Sequence, residues 1–178
     1  MKPDVVIYNA GISACEKGAQ WQRALSLFSE MWEAQLAPSV VSFNAASSAC
    51  EKCGQWQHAL LLLSDCWDSK MHPDVMISYN AGIGACAKCM QWRRALALLS
   101  EVREVRLEPT CISYGSGVSA CESGAQWQQA LLLLREARWR KLDPNFHAYG
   151  IVASMCEQGG QWHQALSLLR DVSEIVAE

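Results

Sequence analysis

The chain has little charge, no excess of bases and no long apolar run, and each of these shortages excludes a class of protein. Charged residues make up 19% of its 178 residues, and 18 acids against 15 bases leave a net charge of −3. No global basic field draws such a chain onto nucleic acid or an anionic membrane, so any contact with anions must be local. The leucine run Leu60–Leu63 is far shorter than the roughly 20 apolar residues that cross a bilayer. We therefore expect no membrane span and no membrane partner.

No targeting signal is legible at the start of this sequence, although one could precede it in a longer chain. The first residues, Met1–Asp4, lead directly into repeat sequence, without an apolar signal region or an Arg- and Ser-rich presequence. Nine cysteines would indicate disulfides in a small secreted protein, but five of them recur at one position of a repeat, inside helix-like sequence. We expect a reduced, intracellular protein. Its 51% of hydrophobic residues is enough to bury a continuous core.

A 35-residue unit, first seen over Tyr8–Pro38, accounts for the whole chain. Two ladders of identical residues step by 35, 36, 35 and 35 positions. The tryptophan ladder is Trp21, Trp56, Trp92, Trp127 and Trp162, and the cysteine ladder is Cys15, Cys50, Cys86, Cys121 and Cys156. A period of this length indicates a supersecondary unit that buries its apolar face against neighbouring copies. Because the chain starts and stops within this pattern, we expect it to be part of, or a short relative of, a longer array.

Each unit contains the pattern of two helices. In the first, called helix A, apolar residues fall at i, i+4 and i+7, as in Tyr8, Ile12 and Cys15. We expect Gly18 to end helix A by adopting the left-handed conformation. Helix B then carries an apolar stripe that begins at the ladder tryptophan: Trp21, Ala24, Leu25, Phe28 and Met31. Pro38 ends the unit, because the residue before a proline is disfavoured in a helix.

The copies differ in one insertion and in one recurrent small residue. The third copy has an extra residue between Pro73 and Tyr79, and we expect it in the connection, where added length costs little. The alanine of helix B is expected where helices approach most closely: Ala24, Ala59, Ala95, Ala130 and Ala165.

The unit has Val-Val-x-Tyr-Asn at the start of a copy, Cys-x-Lys-x-Gly at the turn, Ala-Leu in helix B and Pro-Asp before the next copy. In these motifs it resembles the pentatricopeptide repeat, and the resemblance covers essentially the whole chain. The 34-residue tetratricopeptide repeat fits less well, since its tryptophan lies in the first helix. The resemblance implies an all-α, right-handed superhelical solenoid in one domain, 1–178. The expected repeats are 5–39, 40–74, 75–110, 111–145 and an incomplete 146–178.

The resemblance also implies binding of single-stranded RNA, one nucleotide per repeat. In that family the residue after the helix A aromatic and the residue after the closing proline together contact the base edge. The matching pairs here are Asn9 with Ser39, Asn44 with Asp74, Asn80 with Thr110, and Gly115 with Asn145. The first three imply a strand that leans to pyrimidines, with uracil at Asn44 and Asp74, whereas Gly115 offers no side-chain donor or acceptor. The added residue in the third copy could place Val75 in the slot of Asp74.

Two further sets of residues are implied in the same way. A branched apolar residue holds each base between neighbours, and the matching residues are Val6, Val41, Ile77 and Ile112; His147 breaks this series. Lysines at the end of helix A contact phosphate, and the matching residues are Lys17, Lys52 and Lys88. Ser123 and Gln158 stand in their place in the last two copies, so the strongest RNA track ends with the third repeat.

Several features also have structural interpretations. The three asparagines could cap or bridge helices. The tryptophans are expected to pack in the core or between repeats rather than stack on bases. The two CxxC pairs, Cys50/Cys53 and Cys86/Cys89, resemble a zinc site, but ligands on stacked helices about 10 Å apart would not converge on one ion. The basic run Arg135, Arg138, Arg140 and Lys141 could meet phosphate or an acidic partner, but it is more typical of a solvated helix end.

The sequence therefore predicts a non-catalytic RNA-binding solenoid without cofactor or metal, and no DNA partner. By family resemblance only, we expect such a protein to act in organellar RNA processing, editing, stability or translation, in a chloroplast or mitochondrion. Two alternatives stay open. One is a protein-interaction scaffold, which the acidic charge favours, and the other is the recognition fragment of a larger RNA-processing enzyme.

Overall fold

A computed structural model describes residues 4–68, 75–142 and 146–177. Within these ranges the chain is all-α, with no strand and ten helices. The helices are α1 Val5–Lys17, α2 Trp21–Glu33, α3 Val40–Lys52, α4 Trp56–Asp68, α5 Val75–Lys88, α6 Trp92–Glu104, α7 Cys111–Ser123, α8 Trp127–Trp139, α9 Phe146–Gln158 and α10 Trp162–Ala177. The odd-numbered helices are the predicted A helices and the even-numbered ones are the predicted B helices.

The chain forms two compact units, Met1–Cys89 with α1 to α5 and Met90–Glu178 with α6 to α10. In the first unit α3 packs on α1 and α5, so that consecutive A helices lie side by side, and α2 and α4 pack against them. In the second unit α7 packs on α9 in the same way, with α6, α8 and α10 against them. The predicted all-α repeat solenoid is thereby confirmed. Its handedness and the division of 1–178 into one domain of five repeats stay predictions.

Three A helices, α1, α3 and α7, begin at polar caps, each of which follows a proline in the sequence. Ser39, after Pro38, accepts a hydrogen bond from the backbone N–H of Ser42, whose hydroxyl in turn accepts from the N–H of Ser39. Thr110 and Ser113 form the same reciprocal capping box on α7. These bonds satisfy backbone donors that have no partner inside the helix, and so they set where each A helix begins.

The prediction for the end of helix A was wrong by one residue. Gly18 has φ −84° and does not enter the left-handed region, whereas Ala19 has φ 52°. The N–H of Gln20 then bonds the carbonyl of Cys15 at 2.9 Å, which closes a Schellman motif. In that motif the left-handed residue lies one position beyond the C-cap, and two other repeats have glycine there, Gly54 and Gly160. Among the residues that the structure describes, six other than glycine have a positive φ: Ala19, Gln35, Met90, Arg106, Ala125 and Lys141.

The added residue of the third copy lies in a helix, contrary to the expectation that it lengthens the connection. Helix α5 has 14 residues where α3 has 13, and it begins four residues before Tyr79. The extra residue is therefore accommodated as an additional helical residue in the first turn. The carbonyl of a first-turn residue gains a hydrogen bond inside the helix, which a bulged connection does not guarantee.

The core consists of the aromatic and small residues of the repeat. Phe43, Tyr79 and Tyr114 of the A helices are fully buried. Four ladder alanines, Ala24, Ala59, Ala95 and Ala130, and four ladder cysteines, Cys50, Cys86, Cys121 and Cys156, have no exposed surface. The cysteines are thus buried as small apolar residues, as predicted.

Ladder tryptophans pack against the following repeat at Trp21, Trp92 and Trp127. The ring of Trp21 lies 4.9 Å from that of His58. Trp92 lies so close to Gly124 that a Cβ there would be 2.5 Å from the indole Cδ1. Trp162 is the exception, because 58% of its surface is exposed.

Candidate nucleic-acid interface

Asn9 and Ser39, predicted to act as a pair, lie in contact. The Asn9 side-chain amide Nδ2 donates to Ser39 Oγ at 3.2 Å, and the Ser42 hydroxyl donates to Asn9 Oδ1 at 2.5 Å. The stacking of α1 on α3 produces this contact, because Asn9 lies in the first half of α1 and Ser39 caps α3. These two bonds hold the Asn9 amide against the next repeat. Asn9 is only half-buried, so part of the residue stays accessible to solvent.

The same arrangement recurs one repeat later. The Ser78 hydroxyl donates to Asn44 Oδ1 at 3.2 Å, and Ser78 occupies the position in α5 that Ser42 occupies in α3. Both serines are fully buried, and Asn44 is half-buried. Bridging between A helices, weighed above as an alternative for the asparagines, is therefore present. An amide has two donors and two acceptor lone pairs, so the bridge leaves capacity for a base edge.

The remaining predicted base-contacting residues are less completely defined. Asn80 is half-buried on α5, and Thr110 caps α7. Asp74 and Asn145 lie outside the described residues. Gly115 has no heavy atom within 4 Å of the place a Cβ would occupy, which leaves an open site on α7.

The predicted base-sandwiching residues are all exposed, although each is a branched apolar side chain. The exposed fractions are 70% for Val6, 58% for Val41, 47% for Ile77 and 62% for Ile112. Each lies three residues before the position predicted to face a base, and residues at i and i+3 share a helix face. Every A helix from α1 to α7 therefore presents an exposed apolar group on the face of its predicted base-contacting position. His147 is exposed at the corresponding place on α9.

The predicted phosphate-binding lysines differ in their surroundings. Lys17 is exposed. Lys52 Nζ lies 2.9 Å from Glu16 Oε1, and Lys88 Nζ lies 3.3 Å from Glu51 Oε1. Two of the three lysines are thus joined to a glutamate of the preceding repeat.

A second charged cluster lies in the second unit. Arg103 contacts Glu136 Oε2 at 2.9 Å, Arg140 contacts its Oε1 at 3.4 Å, and the Tyr114 hydroxyl donates to the same carboxylate at 2.9 Å. Burial, together with this hydrogen bond to a carboxylate, raises the pKa of Tyr114 to about 12. One arginine of the basic run is therefore tied into the structure, while Arg135 and Lys141 are exposed.

Two of the four cysteines outside the ladder, Cys53 and Cys89, connect successive turns. The Cys53 thiol donates to the carbonyl of Ala19 at 3.2 Å, and the Cys89 thiol donates to the carbonyl of Gly54 at 2.8 Å. Burial raises the pKa of Cys50 to about 12, so this thiol stays protonated and is a poor metal ligand. Among the described residues no group of three or more His, Cys, Asp or Glu is placed to hold a metal ion.

Comparison with family models decides the classification. Residues 3–52 match the model of the PPR repeat family, and residues 61–123 match that of the pentatricopeptide repeat domain. Together the two matches cover more than half of the chain. The chain belongs to the pentatricopeptide repeat family. No curated protein sequence matches it.

Solved pentatricopeptide repeat structures have the same fold. The crystal structure of PPR10 from maize superposes with a TM-score of 0.78 at 24% identity, over 99% of this chain and 25% of that one. The crystal structure of PPR10 in complex with an 18-nt psaJ RNA element superposes with a TM-score of 0.78 at 23% identity. The superposition covers 99% of this chain and 26% of PPR10. The PPR domain of Arabidopsis thaliana protein-only RNase P 1, in complex with tRNA, superposes with a TM-score of 0.75 at 14% identity. The superposition covers 91% of this chain and 86% of that domain's chain. This pentatricopeptide repeat chain spans about a quarter of the length of PPR10.

Two sets of residues in this pentatricopeptide repeat chain were missed by the sequence interpretation. The buried serines Ser42 and Ser78 were not predicted to be buried, because a search for apolar residues at helical spacing passes over polar ones. The signal that could have found them is that a serine precedes the aromatic residue in three of the five copies. The glutamates that hold Lys52 and Lys88 were overlooked because their partners lie a full repeat away in sequence.

No helix in the described part of the chain is both long and apolar enough to span a membrane.

Proposed function

We propose that this pentatricopeptide repeat chain binds single-stranded RNA along the exposed face of its A helices, one nucleotide per repeat, without catalysing a reaction. The observation that carries the proposal is the recurrence, on one face, of a half-buried asparagine held by the next repeat and an exposed branched apolar residue three positions earlier. A fixed amide offers a donor and an acceptor to an unstacked base, and the apolar groups offer surface on which its ring can pack.

The strand is expected to lean to pyrimidines, read mainly by Asn9, Asn44 and Asn80. The face of α7 contributes less, because Gly115 has no side chain with which to read a base. Three reading positions give little specificity, so the chain would select a target as part of a longer array. A role in RNA processing, editing, stability or translation in a chloroplast or mitochondrion is proposed from family membership alone.

The test is a fluorescence anisotropy titration with labelled pyrimidine-rich RNA, purine-rich RNA and DNA of the pyrimidine sequence. The titrations are made at about 50 and about 150 mM salt, because phosphate contacts weaken as salt rises. The expected order of affinity is pyrimidine RNA, then purine RNA, then DNA. Asn44→Ala should weaken binding to pyrimidine RNA about fivefold, the value of one hydrogen bond of about 1 kcal/mol.

Matched variants separate recognition from folding, since Asn44 also accepts a bond from Ser78. Val41→Ala removes an exposed apolar side chain of helix A, and Leu61→Ala removes one of similar exposure from helix B. The first should weaken RNA binding and the second should not. Gln57→Ala, an exposed amide on α4, is the control for Asn44→Ala. Absence of RNA binding at low salt would overturn the proposal.

A protein-interaction scaffold is the second candidate, and it is favoured by one observation. Lys52 and Lys88 already have carboxylate partners, and the chain carries a net charge of −3. In that case the exposed apolar row would receive a peptide rather than bases. The scaffold would be supported if Val41→Ala weakened capture of a peptide ligand while RNA failed to bind.

A further inference from the structure

Two ion pairs connect the ends of successive A helices in the first unit. Glu16, near the end of α1, holds Lys52 at the end of α3, and Glu51, near the end of α3, holds Lys88 at the end of α5. The lysine side chains are 45% and 49% exposed, and the glutamate side chains are 23% and 32% exposed. Each glutamate side chain is thus more enclosed than the lysine side chain that it binds.

The second pair is fixed by its surroundings as well as by charge. Lys88 Nζ lies 3.3 Å from the Glu51 side-chain oxygen and 3.3 Å from its backbone carbonyl. The Glu51 carboxylate lies directly over Gly84, where an added Cβ would be 2.6 Å from Oε1. The other copies have serine at this position of helix A: Ser13, Ser48, Ser119 and Ser154. The missing side chain at Gly84 leaves room for the carboxylate to rest on α5 beside Lys88.

The charges on this edge cancel because of a recurrent pattern. Glutamate precedes the lysine position in the first two repeats, at Glu16 and Glu51, and each reaches the lysine of the next repeat. The next such pair is absent, because the glutamate position of the third repeat is Ala87 and the lysine position of the fourth is Ser123. The lysines predicted to contact phosphate at α3 and α5 therefore add no net positive charge to the edge.

We propose that Glu16 and Glu51 compete with RNA phosphate for Lys52 and Lys88. This inference rests on the proposed RNA binding and names the residues that limit its strength. A phosphate that approaches Lys88 meets the Glu51 carboxylate on the same ammonium group, and two anions on one cation repel each other. The strand must displace the carboxylate or accept the repulsion. Removing the glutamate charge should therefore strengthen RNA binding, although glutamate itself touches no nucleotide.

The test measures the affinity of the full chain for labelled pyrimidine-rich RNA at several salt concentrations. Glu51→Gln keeps the size of the side chain and removes its charge, and it should tighten binding about threefold to fivefold at low salt, the scale of a partly exposed ion pair. Each freed lysine that meets phosphate should also steepen the slope of log affinity against log salt by about 0.7. The double variant Glu16→Gln/Glu51→Gln should tighten binding about tenfold.

Two matched variants separate competition from a general loss of acidity. Glu122→Gln removes one exposed negative charge at the same repeat position, but the lysine position of the following repeat is Gln158. It should leave both the affinity and the salt slope close to those of the unmodified chain. In Glu51→Gln/Lys88→Gln the gain from Glu51→Gln should disappear, because there is no lysine to free.

The outcomes separate this inference from the function on which it rests. If the unmodified chain binds RNA and Glu51→Gln binds no tighter, or Glu122→Gln gains as much, competition is wrong while RNA binding stands. Weaker binding by Glu51→Gln would also overturn it, since the glutamate would then be positioning Lys88 for phosphate. If neither the unmodified chain nor any variant binds RNA, both the inference and the proposed function fail.

Discussion

The indole N–H of Trp67 donates a hydrogen bond to the hydroxyl of Tyr79, with 3.1 Å between the nitrogen and the oxygen. The two rings meet nearly edge to face, 6.3 Å apart, and they connect helix B of the second repeat to helix A of the third. The equivalent residues one repeat earlier are Trp32 and Phe43. Phe43 has no hydroxyl group, and 51% of Trp32 is exposed. The tryptophan that bonds the Tyr79 hydroxyl, Trp67, is thus half-buried, whereas Trp32, which has no such partner at Phe43, is exposed.

Tyr79→Phe should lower the free energy of unfolding by about 1 kcal/mol, because it removes this hydrogen bond from a fully buried side chain. Urea denaturation followed by circular dichroism measures the change. Trp32→Phe, on the exposed partner of the earlier repeat, is the control and should change stability by less than about 0.5 kcal/mol. Equal effects of the two variants would show that the bond adds nothing beyond burial.

Gly124→Ala should destabilise the second unit by about 1–3 kcal/mol. The new Cβ would lie 2.5 Å from Trp92 Cδ1 and 2.7 Å from Cγ, so the indole would have to move away from α7. Backbone strain is not involved, because Gly124 has φ −101°. Gly159→Ala is the matched control, since its Cβ would be 3.4 Å from Trp127 Cδ1 and 3.3 Å from the backbone oxygen of Met155, with no contact as short as those at Gly124. Thermal unfolding of both variants should show a lower midpoint for Gly124→Ala alone.

Gly115→Asn should strengthen binding to pyrimidine-rich RNA about threefold to fivefold by adding a base-contacting amide to α7. The site is open, with no heavy atom within 4 Å of the new Cβ, and asparagine is the residue that α1, α3 and α5 carry there. Gly115→Ala controls for the helix stabilisation that any side chain brings, and it should leave affinity unchanged. A gain in Gly115→Ala equal to that in Gly115→Asn would argue against base contact.

Cys50 and Cys111 should differ sharply in their reaction with iodoacetamide at pH 8. Cys111 is exposed, whereas burial and the neighbouring Cys53 raise the pKa of Cys50 from 9.0 to about 12. A thiol of that pKa is ionised in roughly one molecule in ten thousand at pH 8, and only the thiolate reacts. Mass spectrometry should find Cys111 modified within minutes and Cys50 modified only after urea is added. Modification of native Cys50 at the rate of Cys111 would contradict its burial.

The raised pKa also fixes the direction of a pH effect on stability. The folded chain holds the Cys50 proton more tightly than the unfolded chain, so this contribution to stability is complete below about pH 9 and is lost as pH rises toward about 12. Cys121, with a pKa raised by burial to about 11, acts in the same direction. Cys50→Ala should reduce the fall in urea midpoint between pH 9 and pH 11. An identical fall in Cys50→Ala would assign the effect to other groups.

Sequence periodicity predicted the fold well because burial repeats with the helix. The stripe from Trp21 to Met31 predicted α2, and Ala24, Phe28 and Met31 are indeed its buried residues. The contact between Asn9 and Ser39 followed from family resemblance, since composition gives no means of bringing residues 30 positions apart together. What these residues bind stays a proposal.

Features that depend on one backbone angle or on a neighbouring repeat were not predicted. Gly18 and Ala19 are adjacent in one turn, and only the geometry of the Schellman motif decides which becomes left-handed. A helix and a connection can each absorb one residue, so the sequence alone did not place the insertion before Tyr79. The pairs formed by Glu16 and Glu51 required knowledge of how α1, α3 and α5 are stacked.

The turns between helices also bear on how far this array could be engineered. Ala19 and Ala125 have φ of 52° and 51°, at the position where two sister repeats have glycine. A side chain in that conformation costs roughly 1 kcal/mol, so exchanging each alanine for glycine should raise the melting temperature without touching a proposed contact. Stabilising substitutions are therefore available in these turns. A designer could use them to offset the loss of stability that accompanies new recognition residues elsewhere.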